Sequence, residues 1–183
     1  MAVYVHLATG FEEVEALSCV DVLKRAGVDA KMVSVTGDIM VSGAHDIDIR
    51  ADLLFEDADY GNCEMIVLPG GMPGATNLRD HAGLTEQIKK FSAEGKKLAA
   101  ICAAPLALAA HGVLEGRSAT IYPGMEAHLL GAKASRANVT KDGNVITGMG
   151  PAIAMEFALA LAEELKGKEV REQVASGLLF DRR

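Results

Sequence analysis

The stretch Lys97-Leu98-Ala99-Ala100-Ile101-Cys102-Ala103-Ala104-Pro105 reads as an apolar strand that runs directly into an alanine-rich helix, predicted over residues 103–111. Cys102 stands at the junction. A strand-to-helix turn raises its side chain above the sheet and tolerates only small neighbours. Ala100 and Ala104 lie two residues before and after Cys102, as small residues do in the G-x-S-x-G elbow. The stretch therefore predicts a nucleophile elbow with a cysteine at its tip.

The predicted helix after Cys102 bears on the state of the thiol. Backbone N–H groups and the positive end of a helix dipole favour a thiolate over a thiol, which would make Cys102 reactive. The alternative is a buried structural cysteine, because unpaired cysteines are among the most buried residues. The stretch alone leaves both interpretations open.

Short apolar runs alternate with helical periods along the whole chain. Residues 2–8 form a continuous apolar strand, and a helix follows to about Ala26, where Gly27 ends it. A final helix is predicted after Gly150, with Pro151 in its first turn. Residues 38–52 are predicted to form a hairpin or edge strands, and a hairpin is predicted at 139–147. Further strands are predicted at 29–35, 64–68 and 118–121, and a further helix around 84–91. This alternation predicts one α/β domain over residues 1–183, an open three-layer sandwich with ligands beyond the carboxyl ends of its strands.

Composition excludes several classes of protein. The 183 residues are 50% hydrophobic and 23% charged, which supports one sizeable core. Aromatic residues make up only 4% and the net charge is −7, so nucleic-acid binding is not expected. No signal peptide and no apolar run of about 20 residues is found, so neither secretion nor a membrane span is expected. The three cysteines lack metal-ligand spacing and are expected to be free thiols in a reducing cytoplasm.

Two other segments follow predicted strands and are expected beside Cys102. The tandem glycines Gly70 and Gly71 allow backbone N–H groups to approach a substrate oxygen, as in an oxyanion hole, although a structural tight turn also explains them. In residues 10–15, Glu15 lies four positions before Cys19 and thus beside the apolar stripe of its helix. We expect it to be partly desolvated, with a raised pKa.

The remaining residues of these types are expected to have ordinary roles. Glu12 and Glu13 are expected to be solvated charges at the helix start. Cys19 and Cys63 are interpreted as packing cysteines. Six methionines are interpreted as gap-fillers in an aromatic-poor core. They are Met40, Met65, Met72, Met125, Met149 and Met155.

Four sequence blocks together resemble one family. G-x-E-E-x-E begins at Gly10, V-L-P-G-G-x-x-G-A-x-N-L at Val67, A-A-I-C-A-x-P at Ala99 and G-P-x-x-x-x-E-F-A-L-A at Gly150. The chain is identified as a member of the ThiJ/PfpI family, in the class I glutamine-amidotransferase-like superfamily, and is most similar to the branch of the Parkinson-disease deglycase. The resemblance extends from Val5 to about Val174.

The resemblance implies a flavodoxin-like sandwich with a mainly parallel sheet, a homodimer and no cofactor or metal. It also implies a nucleophilic Cys102, a protonated Glu15 hydrogen-bonded to it, and an oxyanion hole from the Gly71 and Ala103 amides, with Gly70 and Pro151 in support. Members are described as glyoxalases acting on methylglyoxal and glyoxal, as deglycases, as oxidative-stress chaperones and, in a distinct branch, as proteases.

Three positions bear on details of the family pattern. Where the branch carries a histidine before a proline, this chain has Tyr122, whose unperturbed pKa of about 10 makes it a poor base at neutral pH. A cysteine-protease pair is therefore disfavoured, and Glu15 is left as the acid–base group. Arg25 and His45 match basic family positions and are expected near an anion-binding spot at the dimer interface.

The leading hypothesis is a cofactor-independent, cysteine-dependent enzyme for small reactive aldehydes or their glycated adducts. The alternative is a redox-sensing stress-response or chaperone dimer, in which Cys102 is oxidised without turnover. Cysteine peptidase activity ranks third.

Overall fold

The computed structural model describes residues 1–180, which contain eleven strands. They are β1 (Ala2–Leu7), β2 (Asp29–Ser34), β3 (Met40–Ser42), β4 (Asp48–Arg50), β5 (Leu53–Leu54), β6 (Cys63–Leu68), β7 (Lys97–Ile101), β8 (Ser118–Ala119), β9 (Lys133–Ala134), β10 (Val139–Asp142) and β11 (Val145–Gly148). Seven of them form the central sheet of this part of the chain, in the order β10-β11-β7-β6-β1-β2-β5. All neighbours in it are parallel except β10 and β11.

The central strands are buried because helices cover both faces of the sheet. Every residue of β1 is buried, as its continuous apolar sequence predicts for a strand of a parallel sheet. The five strands β2-β1-β6-β7-β11 follow the flavodoxin-like order 2-1-3-4-5. The predicted α/β fold with a mainly parallel sheet is confirmed.

Two groups of helices cover the sheet. Within residues 1–180 the six α-helices are α1 (Glu13–Arg25), α2 (Gly74–Asp80), α3 (Ala82–Ala93), α4 (Pro105–Ala110), α5 (Ala154–Lys166) and α6 (Lys168–Gly177). In the first group α5 packs against α1 and α6, and in the second α2 packs against α3 and α4. Within residues 1–180, none of the helices has the length and apolarity needed to cross a membrane.

Most differences from the predicted elements occur where a short polar or glycine-containing segment becomes helical. α2 and α6 were not predicted, because the first four residues of α2 include glycine, threonine and asparagine, and α6 buries only Val174 and Ala175. Pro151 lies in a 3₁₀ turn, Pro151–Ile153, that precedes α5 instead of opening it. The two predicted hairpins are present as β3–β4 and β10–β11, each antiparallel.

Candidate active site

Cys102 occupies a strained turn between β7 and α4. It adopts a left-handed backbone conformation with φ of +62°, which is rare for a residue with a side chain. Its N–H donates to the Gly148 carbonyl at 3.0 Å, and its own carbonyl accepts from the Tyr122 N–H at 2.8 Å. These two hydrogen bonds therefore fix the elbow to neighbouring segments on both sides. The Cys102 residue is 8% exposed. α4 begins only at Pro105, later than predicted, because residues 102–104 form the turn itself.

Glu15 lies beneath this turn, in the first turn of α1. The residue is completely buried, and its Oε2 accepts a 2.7 Å hydrogen bond from the Gly70 N–H. Its second oxygen, Oε1, is buried with no hydrogen-bond partner within residues 1–180. The carboxyl group lies beside Cys102, because a Cβ atom on Gly70 would touch both residues. The predicted meeting of Glu15 and Cys102 is therefore present in the tertiary structure.

Burial controls the protonation of Glu15. Loss of water, with a smaller contribution from the Glu12 charge, raises the pKa of Glu15 to about 7, although the interactions with Gly70 and Cys102 favour the charged form. Glu15 thus gains or loses a proton near neutral pH, in agreement with the raised pKa expected from its place beside the apolar stripe.

The Cys102 thiol behaves differently from the expectation of a thiolate. Burial raises its pKa to about 12, and the charge and hydrogen bond of Glu15 act in the same direction. The N–H groups of Gly71 and Ala103 lower the pKa of the thiol, as predicted for nearby amides. Their effect is smaller than the combined effect of burial and Glu15. While Glu15 is charged, Cys102 therefore keeps its proton. The pair retains at least one proton at neutral pH.

The tandem glycines permit the close approach of three segments. A Cβ atom on Gly70 would lie 2.6 Å from Cβ of Cys102 and 2.8 Å from Oε2 of Glu15. Gly71 has φ of +85°, and a Cβ there would lie 2.4 Å from the Glu12 nitrogen. The structural interpretation of these glycines is therefore correct, because a side chain at either position would collide with a neighbouring segment. The Gly71 N–H also lowers the pKa of the Cys102 thiol.

A cleft of about 310 Å³ opens over the thiol. Five residues predicted for the site or its support meet there, namely Gly71, Cys102, Ala103, Tyr122 and Pro151. The Tyr122 residue is 46% exposed. Within residues 1–180, the lining of this cleft includes no histidine, in keeping with the tyrosine at position 122.

The sequence interpretation missed three residues of this cleft, Glu12, Met72 and Met125. Met72 is 52% exposed, so its interpretation as a core gap-filler is wrong. Its position directly after Gly71 was the available signal, since that loop follows a strand. Met125 has no comparable signal, because it comes from a distant loop that only the tertiary structure brings to the cleft.

The model of the DJ-1/PfpI family matches residues 1–164. This chain belongs to the DJ-1/PfpI family.

Individual relatives extend the match over nearly the whole of this DJ-1/PfpI protein. The Parkinson disease protein 7 homolog of Danio rerio is 41% identical over 180 residues, with 95% of this chain and 94% of the relative covered. A deglycase of Pyrococcus abyssi is 34% identical over 154 residues, covering 82% of this chain and 91% of that protein. The structure of oxidized Toxoplasma gondii DJ-1 is similar with a TM-score of 0.93 and 37% identity, covering 97% of each chain.

A second polar cluster lies at the start of α1, beside the cleft. Glu13 is buried, and its Oε1 and Oε2 lie 2.8 Å from the backbone nitrogen and Nδ1 of His45, respectively. Glu13 was expected to be solvated, which is wrong because the turn between β3 and β4 covers it. Although burial opposes it, hydrogen bonding to His45 lowers the pKa of Glu13, and the same hydrogen bond raises the pKa of His45.

Glu12, Glu13 and His45 are also the residues of the described chain that come closest to a metal-ligand set. Their ligand atoms lie within 4.8 Å of one another. Glu13 and His45 already satisfy each other by hydrogen bonds, and their contact ties the β3–β4 turn to α1.

Arg25 lies at the opposite end of α1 from this cluster. Its guanidinium pairs with Asp21 at 2.8 Å. Twelve residues separate it from Glu13, which corresponds to roughly 18 Å along a helix. Arg25 and His45 are therefore far apart within one chain, and His45 contacts carboxylates. A role at a dimer interface stays a prediction.

The other two cysteines are packing residues, as predicted. Cys19 and Cys63 are both fully buried. Burial raises the pKa of Cys63 to about 11 and raises that of Cys19 as well. Cys102 differs from both because it lies at an open cleft.

Proposed function

We propose that this protein is a cofactor-independent, cysteine-dependent enzyme that detoxifies reactive aldehydes, converting methylglyoxal to lactate. The observation that carries the proposal is the pairing of Cys102 with Glu15, a buried carboxyl group whose pKa is raised to about 7. A group that titrates near the working pH can both accept and return a proton. The deglycase among the relatives supports chemistry on aldehydes or their adducts in this family.

The first step is addition of the Cys102 sulfur to the aldehyde carbon. The S–C bond forms, the carbonyl π electrons move to oxygen, and the proton from the thiol neutralises that oxygen to give a hemithioacetal. The N–H groups of Gly71 and Ala103, which already reach the sulfur, would stabilise the negative charge that develops on the adjacent oxygen.

The second step moves a proton between neighbouring carbon atoms. Ionised Glu15 removes the proton from the former aldehyde carbon, giving an enediolate. The hydroxyl proton passes from the oxygen of that carbon to the oxygen of the former ketone carbon, and Glu15 returns its proton to the former ketone carbon. The product is a thioester of lactate with no net oxidation or reduction. Water then cleaves the S–C bond and releases lactate and the Cys102 thiol.

The same addition chemistry extends to glycated adducts. Early adducts of 2-oxoaldehydes with thiols and amines form reversibly. They therefore release the free aldehyde, which Cys102 would then capture. Free aldehydes and early adducts are thus two sources of the same substrate, and both would end as a 2-hydroxy acid.

The direct test is lactate production from methylglyoxal, measured enzymatically and compared between the natural protein, Cys102→Ser and Cys19→Ser. Cys102→Ser should abolish turnover, whereas Cys19→Ser should retain it, because Cys19 lies outside the cleft. Equal lactate production by the natural protein and Cys102→Ser would refute the proposal.

A second candidate function is redox sensing, which the oxidized state of the Toxoplasma gondii relative favours. A sulfinate on Cys102 would accept hydrogen bonds from the Gly71 and Ala103 amides and from protonated Glu15. Intact mass spectrometry after graded peroxide separates the two functions. Absence of lactate production together with two oxygen atoms added at Cys102 by near-stoichiometric peroxide would favour the sensor.

A further inference from the structure

A set of buried threonines lies beside the nucleophile elbow but outside the thiol cleft. Thr120 and Thr147 are 0% and 1% exposed, and neither lines the cleft. The oxygen Oγ1 of Thr147 accepts a 2.9 Å hydrogen bond from the Thr120 N–H. A buried N–H group without an acceptor is costly, so this hydroxyl fixes the backbone at Thr120.

One direction of donation satisfies the whole set. The Thr120 hydroxyl donates its single proton to the Ala137 carbonyl at 2.9 Å, and the Thr140 hydroxyl therefore donates to the Thr120 oxygen at 2.7 Å. The Thr147 hydroxyl lies 3.5 Å from the Thr140 carbonyl, to which it donates, and its oxygen accepts from Thr120. Thr147 is thus oriented as the acceptor for the Thr120 N–H.

The Thr147 hydroxyl joins the two segments that hold Cys102. The loop after β8 carries Tyr122, whose N–H donates to the Cys102 carbonyl at 2.8 Å. β11 carries Gly148, next to Thr147, and the Gly148 carbonyl accepts from the Cys102 N–H at 3.0 Å. Within residues 1–180, β8 pairs with β9 in a separate sheet and not with β11. The hydrogen bond from Thr120 to Thr147 therefore takes the place of strand pairing between this loop and β11.

The backbone of Cys102 needs this support because its φ of +62° is rare for a residue with a side chain. Such a conformation persists only where the surrounding structure holds it. We propose that Thr147 is a positioning residue for Cys102, whose hydroxyl fixes the loop after β8 to β11 and thereby holds the elbow in its left-handed conformation. Its effect on turnover rests on the proposed function of Cys102, whereas its effect on the elbow does not.

Replacement of Thr147 by valine removes the hydroxyl and keeps the shape of the side chain. The Thr120 N–H would then be buried without an acceptor, so the loop would shift to find one, and Tyr122 would shift with it. The Cys102 sulfur would no longer be held at a fixed distance from Glu15. A misplacement of about 1 Å can lower a rate by about 10²-fold. Thr147 does not line the cleft, so binding of the substrate should change much less than its turnover.

The first test measures the elbow directly, by hydrogen exchange of backbone amides followed by NMR. Four proteins are compared, namely the natural protein, Thr147→Val, Thr147→Ser and Thr140→Val. Serine keeps the hydroxyl. Thr140→Val is the matched control, because it removes the same kind of hydroxyl from the same set but leaves the hydrogen bond between Thr120 and Thr147 in place. The amide of Val5, in a strand paired on both sides, reports general destabilisation.

Thr147→Val should lower the protection of the Tyr122 and Cys102 amides by about 10-fold relative to Val5, the effect of losing one hydrogen bond. Thr147→Ser and Thr140→Val should keep the protection of the natural protein. Equal protection of these two amides in Thr147→Val and Thr140→Val, or an equal loss at Val5, would overturn the proposal. If Thr147→Val does not fold, Thr147→Cys serves in its place, since a thiol is a weak acceptor.

The second test measures lactate production from methylglyoxal in the same proteins. Thr147→Val should lower kcat by about 10–10²-fold with KM nearly unchanged, while Thr147→Ser and Thr140→Val keep the natural values. Equal losses of kcat in Thr147→Val and Thr140→Val would show a general packing effect and overturn the role of Thr147 in turnover. If the natural protein makes no lactate, the proposed function fails by itself, and hydrogen exchange still decides whether Thr147 holds the elbow.

Discussion

Gly70 donates a 2.7 Å hydrogen bond to Oε2 of Glu15, while Oε1 of that carboxyl group is buried with no hydrogen-bond partner within residues 1–180. A buried charged oxygen without a donor is costly, which favours the protonated carboxyl group. Cys102 lies beside this carboxyl group, because a Cβ atom on Gly70 would touch both residues. Gly70 therefore orients the carboxyl group toward the role that the proposed mechanism requires.

Replacement of Glu15 by glutamine should slow lactate production from methylglyoxal by about 10²–10⁴-fold, the usual contribution of a general acid–base group. Glutamine keeps the shape and can pack in the same place, but it cannot carry the proton between carbon atoms. Glu12→Gln should cost far less, because Glu12 lines the cleft without being paired to the thiol, and so should Tyr122→Phe. Near-natural activity of Glu15→Gln would remove the enzymatic mechanism and leave the redox sensor as the better hypothesis.

Cys102 should be the first cysteine modified by limiting iodoacetamide. All three cysteines have raised pKa values, so access decides the order: Cys19 and Cys63 are fully buried, whereas Cys102 lies at a cleft that a reagent can enter. Peptide mapping of the alkylated protein measures the order of modification. Equal labelling of Cys63 and Cys102 would contradict this prediction.

Substitution of Gly70 by alanine should destabilise the protein by about 1–3 kcal/mol, the typical cost of overpacking, and should also lower activity. The added methyl group would meet Cβ of Cys102 at 2.6 Å and the Ile101 carbonyl at 3.0 Å, neither of which can move freely. Gly177→Ala is the control, because its Cβ would meet nothing within 4 Å. Urea unfolding measures both variants, and equal stability of the two would show that the site tolerates the methyl group.

His6 should make the protein less stable in acid. It is fully buried, and burial lowers its pKa to about 3, below the unfolded value of about 6.5. At pH values between these two pKa values, the unfolded chain therefore binds more protons than the folded chain. The free energy of unfolding falls by up to about 1.4 kcal/mol for each unit that the pH decreases through this range. Glu15 has the opposite effect, because its raised pKa favours folding of the protonated form at lower pH.

The contribution of His6 is measured by comparing the natural protein with His6→Gln in urea unfolding at pH 7 and pH 5. Both proteins contain Glu15, so its opposing effect cancels in the comparison. The natural protein should lose about 1–2 kcal/mol more than His6→Gln between these pH values. The same loss in both proteins would assign the acid sensitivity to other groups.

A homodimer is expected in solution. Val14 and Leu17 lie three residues apart on α1 and are 54% and 39% exposed, an apolar surface that a second copy could cover. Light scattering at micromolar concentration should give about twice the 19.2 kDa chain mass. The double variant Val14→Asp, Leu17→Asp should give the mass of one chain, and a monomeric natural protein would end this prediction.

Local sequence was sufficient for much of the fold and for the centre of the site. The apolar runs of β1, β6 and β7 indicated strands buried on both faces, since only a sheet covered by helices buries every residue of a strand. Small residues around Cys102 indicated the elbow, and helical spacing placed Glu15 on the buried face of α1. These signals are local, because backbone periodicity and steric size act between residues close in the chain.

Only the tertiary structure decided what surrounds those residues. The protonation of Cys102 depends on burial and on the Glu15 charge, neither of which follows from its place before a helix. Glu13 became buried because the β3–β4 turn closes over it, and Met125 and Tyr122 reached the cleft from loops distant in sequence. The sequence by itself determined which groups could react. Their protonation and their neighbours were decided by the folded chain, because desolvation and charge interactions depend on distances between segments.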